Sequence, residues 1–294
     1  MIESENDILK RVRKIEIKTR GLSNEIFAGR YHTAFRGRGM SFSEVREYRA
    51  GDDVRDIDWN VTARSNKPHI KVYEEERELT MMLLVDVSGS RMFGTTDRLK
   101  KNLMTEIAAV LAFSAAQNND KVGCIFFSDR IEKFIPPKKG RSHILMIIRE
   151  LIGFRPESVR TRLSEPVRFL TNVNKKRCTT FLLSDFLNDP QDADAWDDAL
   201  KIARGRHDLV GIRVCDPREA ELPDVGLVEL EDAETGRRTT IDTSSRAVRD
   251  HYAEAWRRRS AAIDEVLRHH RIDTATISTD GDYVTELIKL FKQR

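Results

Sequence analysis

Apolar residues change their rhythm once along the chain. They are scattered from Met1 to about residue 77 and recur regularly from Glu78 onward, which sets an N-terminal helix and arm over 1–77 and a main domain over 78–294. Within the main domain LTMMLLVD is a continuous apolar run ending in Asp86, and Asp97 to Ala116 carries Leu99, Leu103, Ile107, Val110 and Leu111 at helical spacing. KVGCIFFSD reads as a second buried strand, and the alternating IEKFIPP as its edge hairpin partner. Helical patterns over Arg141–Ile152 and Leu163–Asn174 precede a third apolar strand, CTTFLLSD. A helix over Asp192–Arg204, the strand DLVGIRVCD, a hairpin inserted around 225–243, a basic helix over Ser245–His270, the strand TATISTD and a helix over Tyr283–Lys292 complete the pattern. Strands apolar on both faces and alternating with helices predict an α/β, mostly parallel sheet covered on both sides. Ligands of such sheets bind beyond the carboxyl ends of the strands, where the strand order reverses.

The first part reads differently. Ile8, Val12 and Ile15 mark a short amphipathic helix, and residues 8–40 carry nine Lys/Arg against two acids, 9 − 2 = +7. This is a solvated helix face packing one apolar stripe, or else a docking surface for an acidic partner. FRGRGMSF, EVREYRAGDDVRDIDW and HIKVYEEER suggest strands and turns wrapping the main domain. Asp52, Asp53, Asp56 and Asp58 lack the glycine and terminal glutamate of an EF-hand calcium loop, so they are expected to cap turns and pair with Arg46, Arg49, Arg55 or Arg64. Trp59 is expected to anchor in a core.

Composition narrows the classes. The 294 residues carry 51 Lys+Arg and 48 Asp+Glu, a net +3, with 39% hydrophobic. That balance fits a soluble globular chain and argues against a nucleic-acid coat. The arginine-rich C-terminal helix lacks interleaved aromatics and reads as a solvated face; adjacent His269 and His270 point about 100° apart, a poor metal pair, and are expected at the surface. Three separated cysteines, Cys124, Cys178 and Cys215, fit buried thiols in a reducing cytoplasm. The start MIESENDILKRVRK has no apolar signal region, and the longest apolar runs fall short of the ~20 residues a membrane span needs.

Two strands end in acid at their carboxyl tips, at Asp86 and Asp185, and Asp86 is followed by Ser88 and Ser90. Carboxylate and hydroxyl oxygens are hard donors suited to Mg²⁺ or Mn²⁺ rather than zinc. Two carboxylates are few for an ion preferring about six oxygens, so waters and an exchangeable position are expected. Taken alone, the pentapeptide reads equally as a helix N-cap with turn-forming serines. A haloacid-dehalogenase-type phosphohydrolase is the enzymatic alternative, but it needs a second acid where Ser88 stands. A serine hydrolase elbow would need a glycine that DVSGS lacks.

EVREYRAGDDVRDIDWNVTARSNKPHIKVYEEERE running into LLVDVSGS resembles the bacterial domain-of-unknown-function family numbered fifty-eight, from about Ile8 through LPDVGLVELEDAETG to the C-terminal helix. The resemblance implies a doubly wound von Willebrand factor A-like domain with helices on both faces and a metal-ion-dependent adhesion site. It maps that site onto Asp86, Ser88, Ser90, Thr161 in SVRTRLSEPV, and Asp185 in LLSDF. Arg160 and Arg162 flank Thr161, a departure from the family pattern that either lowers cation affinity or draws in an acidic group. The resemblance further implies no enzymatic turnover, an Mg²⁺ (or Mn²⁺) cofactor, and a cytoplasmic adaptor. Its partner would be a MoxR-type AAA+ ATPase or a client protein that supplies a carboxylate to the metal. Donor side chains splayed apart, or a basic side chain permanently plugging the spot, would undo the expectation.

Overall fold

The computed structural model describes residues 10, 12–16, 41–49, 51–65, 67–74, 79–95, 99–232 and 236–294. They fall into two compact units, Met1–Ala34 with Thr80–Arg294, and Phe35–Leu79.

In the smaller unit, β1 (Ser41–Glu47) pairs antiparallel with β2 (His69–Glu74), and α1 (Trp59–Ser65) lies between them in sequence. Asp58 caps α1 by accepting from the Asn60 and Val61 amides at 2.9 and 3.2 Å, and Asp53 accepts from the Arg55 amide. Asp52 makes a two-point pair with Arg46 at 2.8 and 2.9 Å and accepts from the Arg49 amide. The acidic run is therefore capping and pairing, as its spacing predicts. Two expectations fail here. A helix stands where only strands and turns were expected, and Trp59 is 68% exposed rather than anchored. The Asp58 cap makes Trp59 the first residue of a seven-residue helix that buries none of its side chains.

The larger unit is built on a six-stranded sheet in the order β10-β7-β6-β3-β4-β5: β3 (Thr80–Asp86), β4 (Lys121–Phe127), β5 (Ile131–Lys138), β6 (Thr179–Ser184), β7 (Asp208–Cys215) and β10 (Asp273–Ser278). All neighbours are parallel except β4 and β5. Crossover helices are what parallel pairing demands. They are α2 (Lys100–Gln117), α3 (Arg141–Gly153), α4 (Ser164–Val173), α5 (Ala193–Arg206) and α6 (Arg246–His269), and α7 (Tyr283–Gln293) follows the last strand. β8 (Leu227–Glu231) and β9 (Arg238–Asp242) form the inserted hairpin; 233–235 of its turn lie outside the described residues.

The four inner strands β3, β4, β6 and β7 are buried nearly end to end, so their continuous apolar runs face helices on both sides. Pro136 and Pro137 fall on edge strand β5, where a missing ladder donor is tolerated. Gly123 admits a close approach: a Cβ there would stand 2.6 Å from Met82 Sδ and 3.0 Å from the Pro137 nitrogen. From β3 the chain winds outward to β4 and β5, then returns to build β6, β7 and β10 on the other side. The order therefore reverses between β3 and β6.

Of the basic N-terminal segment, residues 10 and 12–16 are helical, Val12 is buried, and Glu16 pairs with Arg141; Ile8 and most of the charge lie outside the described residues. His270 corrects another expectation. Its ring is 2.7 Å from Asp197 with the side chain only 7% exposed, because it closes α6 against α5, while His269 is exposed. Among the described residues, no helix is long and apolar enough to cross a membrane.

Candidate functional site at the sheet rim

β3 delivers Asp86 to the carboxyl edge of the sheet at the reversal point, and β6 delivers Ser184 and then Asp185 beside it. Asp86 Oδ1 accepts the Ser88 amide at 2.9 Å, which folds the turn back, and Oδ2 accepts the Ser184 hydroxyl at 2.6 Å. The turn places the Ser88 and Ser90 hydroxyls 3.2 Å apart. Phe186, immediately after Asp185, sits in the left-handed region at φ 60° with its side chain buried, a strained position for a bulky residue. Its amide donates to Ser184 Oγ, so the strain re-aims the chain just where the second carboxylate is presented.

A third loop brings Thr161. The Gly89 amide donates to the Val159 carbonyl at 2.9 Å, and the Asp189 amide to the Thr161 carbonyl at 3.3 Å, so the segment bearing Thr161 is stitched to both acidic loops. Thr161 is 0% exposed and its hydroxyl has no hydrogen-bond partner. Arg160 and Arg162 are both exposed; the backbone alternates there and sends the threonine in and the arginines out.

All five expected residues, Asp86, Ser88, Ser90, Thr161 and Asp185, are thus buried on three adjoining loops. Burial, and next the negative Asp185, push the Asp86 carboxyl up to about 6. Among the described residues no three His, Cys, Asp or Glu side chains cluster as a metal-ligand set. The rim's further oxygens belong to hydroxyls. Two carboxylates, paired serines and an orphaned buried hydroxyl form an oxygen-only donor set, which fits a hard cation.

Sequence reasoning missed the basic partners. Lys100, the first residue of α2, is 0% exposed, with Nζ 2.8 Å from Asp185 Oδ2 and 2.5 Å from Glu219 Oε1. Burial alone would lower its pKa, but the two carboxylates outweigh this and hold the ammonium above its ordinary range. Arg91 is also buried, brought down to about 10 by burial, and donates to the Phe154 carbonyl. The available signal for Lys100 was a lysine opening a helix whose central stretch, Ile107–Phe113, is continuously apolar. A cavity of about 460 Å³ adjoins the rim, lined among others by Ser90, Asp185, Glu219, Arg213 and Trp256.

The family model described as "Protein of unknown function DUF58" matches residues 44–262. The chain belongs to this family. It is 31% identical over 287 residues to the uncharacterized protein Rv1480 of Mycobacterium tuberculosis and, equally, to the uncharacterized protein Mb1516 of Mycobacterium bovis, covering 96% of this chain and 88% of each relative. Among solved structures it is similar to the conserved hypothetical protein BatB from Bacteroides thetaiotaomicron, at 14% identity and TM-score 0.49, covering 73% of this chain and 98% of that one. A von Willebrand factor type A protein from Catenulispora acidiphila is similar at 10% identity and TM-score 0.39, covering 74% of this chain and 41% of that one. The fold of this DUF58 protein is α/β with a mostly parallel sheet, and its strand order puts Asp86 and Asp185 at the reversal point.

Proposed function

We propose that this DUF58 protein is a non-enzymatic, metal-dependent protein-interaction module. Asp86, Ser88 and Ser90 would form the primary shell around Mg²⁺ or Mn²⁺, with Asp185 and Thr161 completing it directly or through water. The observation that carries this reading is the Thr161 hydroxyl: fully buried and unpartnered, on a loop tied to the Ser88–Ser90 turn. A buried hydroxyl without a partner costs about 1–3 kcal/mol, a cost that a cation would remove.

When bound, the ion supplies a Lewis-acidic corner for an outside carboxylate. The chain's residues do the rest: the strained Phe186 turn presents Asp185, Ser184 orients Asp86, and the adjoining cavity leaves room for a visiting side chain. Within this reading the partner is a MoxR-type AAA+ ATPase or its client, a choice supported by the family resemblance alone. A phosphohydrolase of haloacid-dehalogenase type finds no support, since Ser88 stands where its second acid is needed. Affinity capture from the native cell with Mg²⁺ should retain a specific partner that EDTA and Asp86→Ala each release. Capture unchanged by chelator contradicts the proposal.

A further inference from the structure

The rim already contains a cation of the chain's own. The ammonium of Lys100 occupies Asp185 Oδ2 at 2.8 Å while Asp185 Oδ1 accepts the Leu187 amide at 3.1 Å, so both oxygens of the second carboxylate are engaged. Lys100 also has a second seat. Glu219 Oε1 accepts from it at 2.5 Å, and Glu219 is itself fixed, because its Oε2 accepts the Asp216 amide at 2.8 Å within a capping box. The Phe93 ring centroid lies 5.9 Å from Nζ. Releasing Asp185 would leave Lys100 held by a carboxylate and an aromatic ring, with no need to enter solvent.

We propose that Lys100 is the resident counter-cation of the rim, competing with the divalent ion for Asp185 and so setting its affinity, with Glu219 as its alternative seat. The inference rests on the metal-site reading above. Its physical basis is Coulombic. Asp86, Asp185 and Glu219 bring three acidic groups to a buried region where like and unlike charges interact strongly. A fixed ammonium on Asp185 both repels an incoming divalent ion and occupies an oxygen that ion would use. Lys100 would thus be a positioning residue that keeps the site selective for conditions where ion and partner carboxylate arrive together.

The test is Mn²⁺ binding to the purified full chain, read from the loss of the free-Mn²⁺ electron paramagnetic resonance signal. Lys100→Met should tighten binding by about tenfold or more, the equivalent of one pK unit of interaction. Glu219→Gln, which removes the second seat, should weaken it. The double variant Lys100→Met/Glu219→Gln keeps the net charge unchanged and leaves fewer unpaired buried acids, so it decides the matter if the single variant does not fold. It too should bind more tightly than wild type; wild-type or weaker affinity in the folded double variant overturns the proposal. In the wild-type chain with ¹³Cε-labelled lysine, the Lys100 resonance should shift with the same midpoint as Mg²⁺ binding, and a resonance unmoved at saturation also overturns it. Indistinguishable binding by wild type and Asp86→Ala would contradict the metal site itself. Binding lost in Asp86→Ala but not tightened in the double variant contradicts only the role of Lys100.

Discussion

Two aspartates of the same sheet stand just at the carboxyl ends of their strands and are used in opposite ways. Asp216, following β7, is saturated: its oxygens accept from the Thr95 amide and hydroxyl at 3.0 and 2.6 Å, the Thr279 hydroxyl at 2.8 Å and the Arg218 amide at 3.0 Å. Asp86, ending β3, accepts the Ser88 amide and the Ser184 hydroxyl with the Ser88 hydroxyl as a further donor, one fewer than Asp216 has, and it faces a second carboxylate. Burial alone would raise the Asp216 carboxyl, yet its hydrogen bonds, led by Thr95, outweigh that and lower it. At Asp86 burial and Asp185 win, and the carboxyl rises to about 6. A strand-tip carboxylate with every lone pair satisfied is a structural tie. One left under-satisfied beside hydroxyls and a second acid retains the capacity to take up a cation.

The widest separation should appear in divalent binding. Asp86→Ala is expected to weaken Mn²⁺ binding at least about a hundredfold, whereas Asp216→Asn should leave it within about threefold, measured by calorimetric titration. Stability should reverse the ranking. Asp216→Ala strands the Thr95 and Thr279 groups and should cost about 3 to 4 kcal/mol in urea unfolding. Asp86→Asn in the metal-free protein at pH 7 should cost less than about 1 kcal/mol, since it removes a buried charge while keeping an acceptor.

The two aspartates should also differ in sign with pH. The folded-state pKa of Asp86 lies above its unfolded value, so its contribution is complete below about pH 4 and is lost as pH rises through about 6, amounting to about 2 to 3 kcal/mol. Asp216, held low, stabilises above its unfolded pKa and loses that contribution as pH falls. The difference in unfolding free energy between wild type and Asp86→Asn across pH 4 to 7 isolates the Asp86 term; a flat difference contradicts the assignment. A smaller effect is expected at Thr161. Thr161→Val should raise metal-free stability by about 1 kcal/mol by removing the orphaned hydroxyl, while lowering Mn²⁺ affinity about tenfold. Smallest of all, Asp52→Asn in the surface run should leave Mn²⁺ affinity unchanged, because Asp52 is committed to Arg46 and the Arg49 amide.

What the residues disclose in advance divides along the same physical line. β3, β4, β6 and β7 were legible because strands buried on both faces must be apolar throughout, and their order placed Asp86 and Asp185 at one rim. The Asp52–Asp58 run was legible because its bonds are local, within a few residues. Lys100 meets Asp185 and Glu219 across 85 and 119 positions, and Ser184 meets Asp86 across 98, separations that no local pattern encodes. Trp59 was misread because hydrophobicity suggested burial, whereas the Asp58 cap made it the exposed first residue of a helix with no packed face. His270 was misread in the other direction, since its partner Asp197 lies 73 residues away.

The central claim, that the rim is a cation site, is tested most directly by anomalous diffraction from crystals of the full chain grown with MnCl₂. The account predicts one manganese peak within about 2.2 Å of an Asp86 carboxylate oxygen and the Ser88 and Ser90 hydroxyl oxygens, with the Thr161 hydroxyl partnered by the ion or by one of its waters. A rim without anomalous signal at saturating manganese, with Lys100 still seated on Asp185, would contradict it.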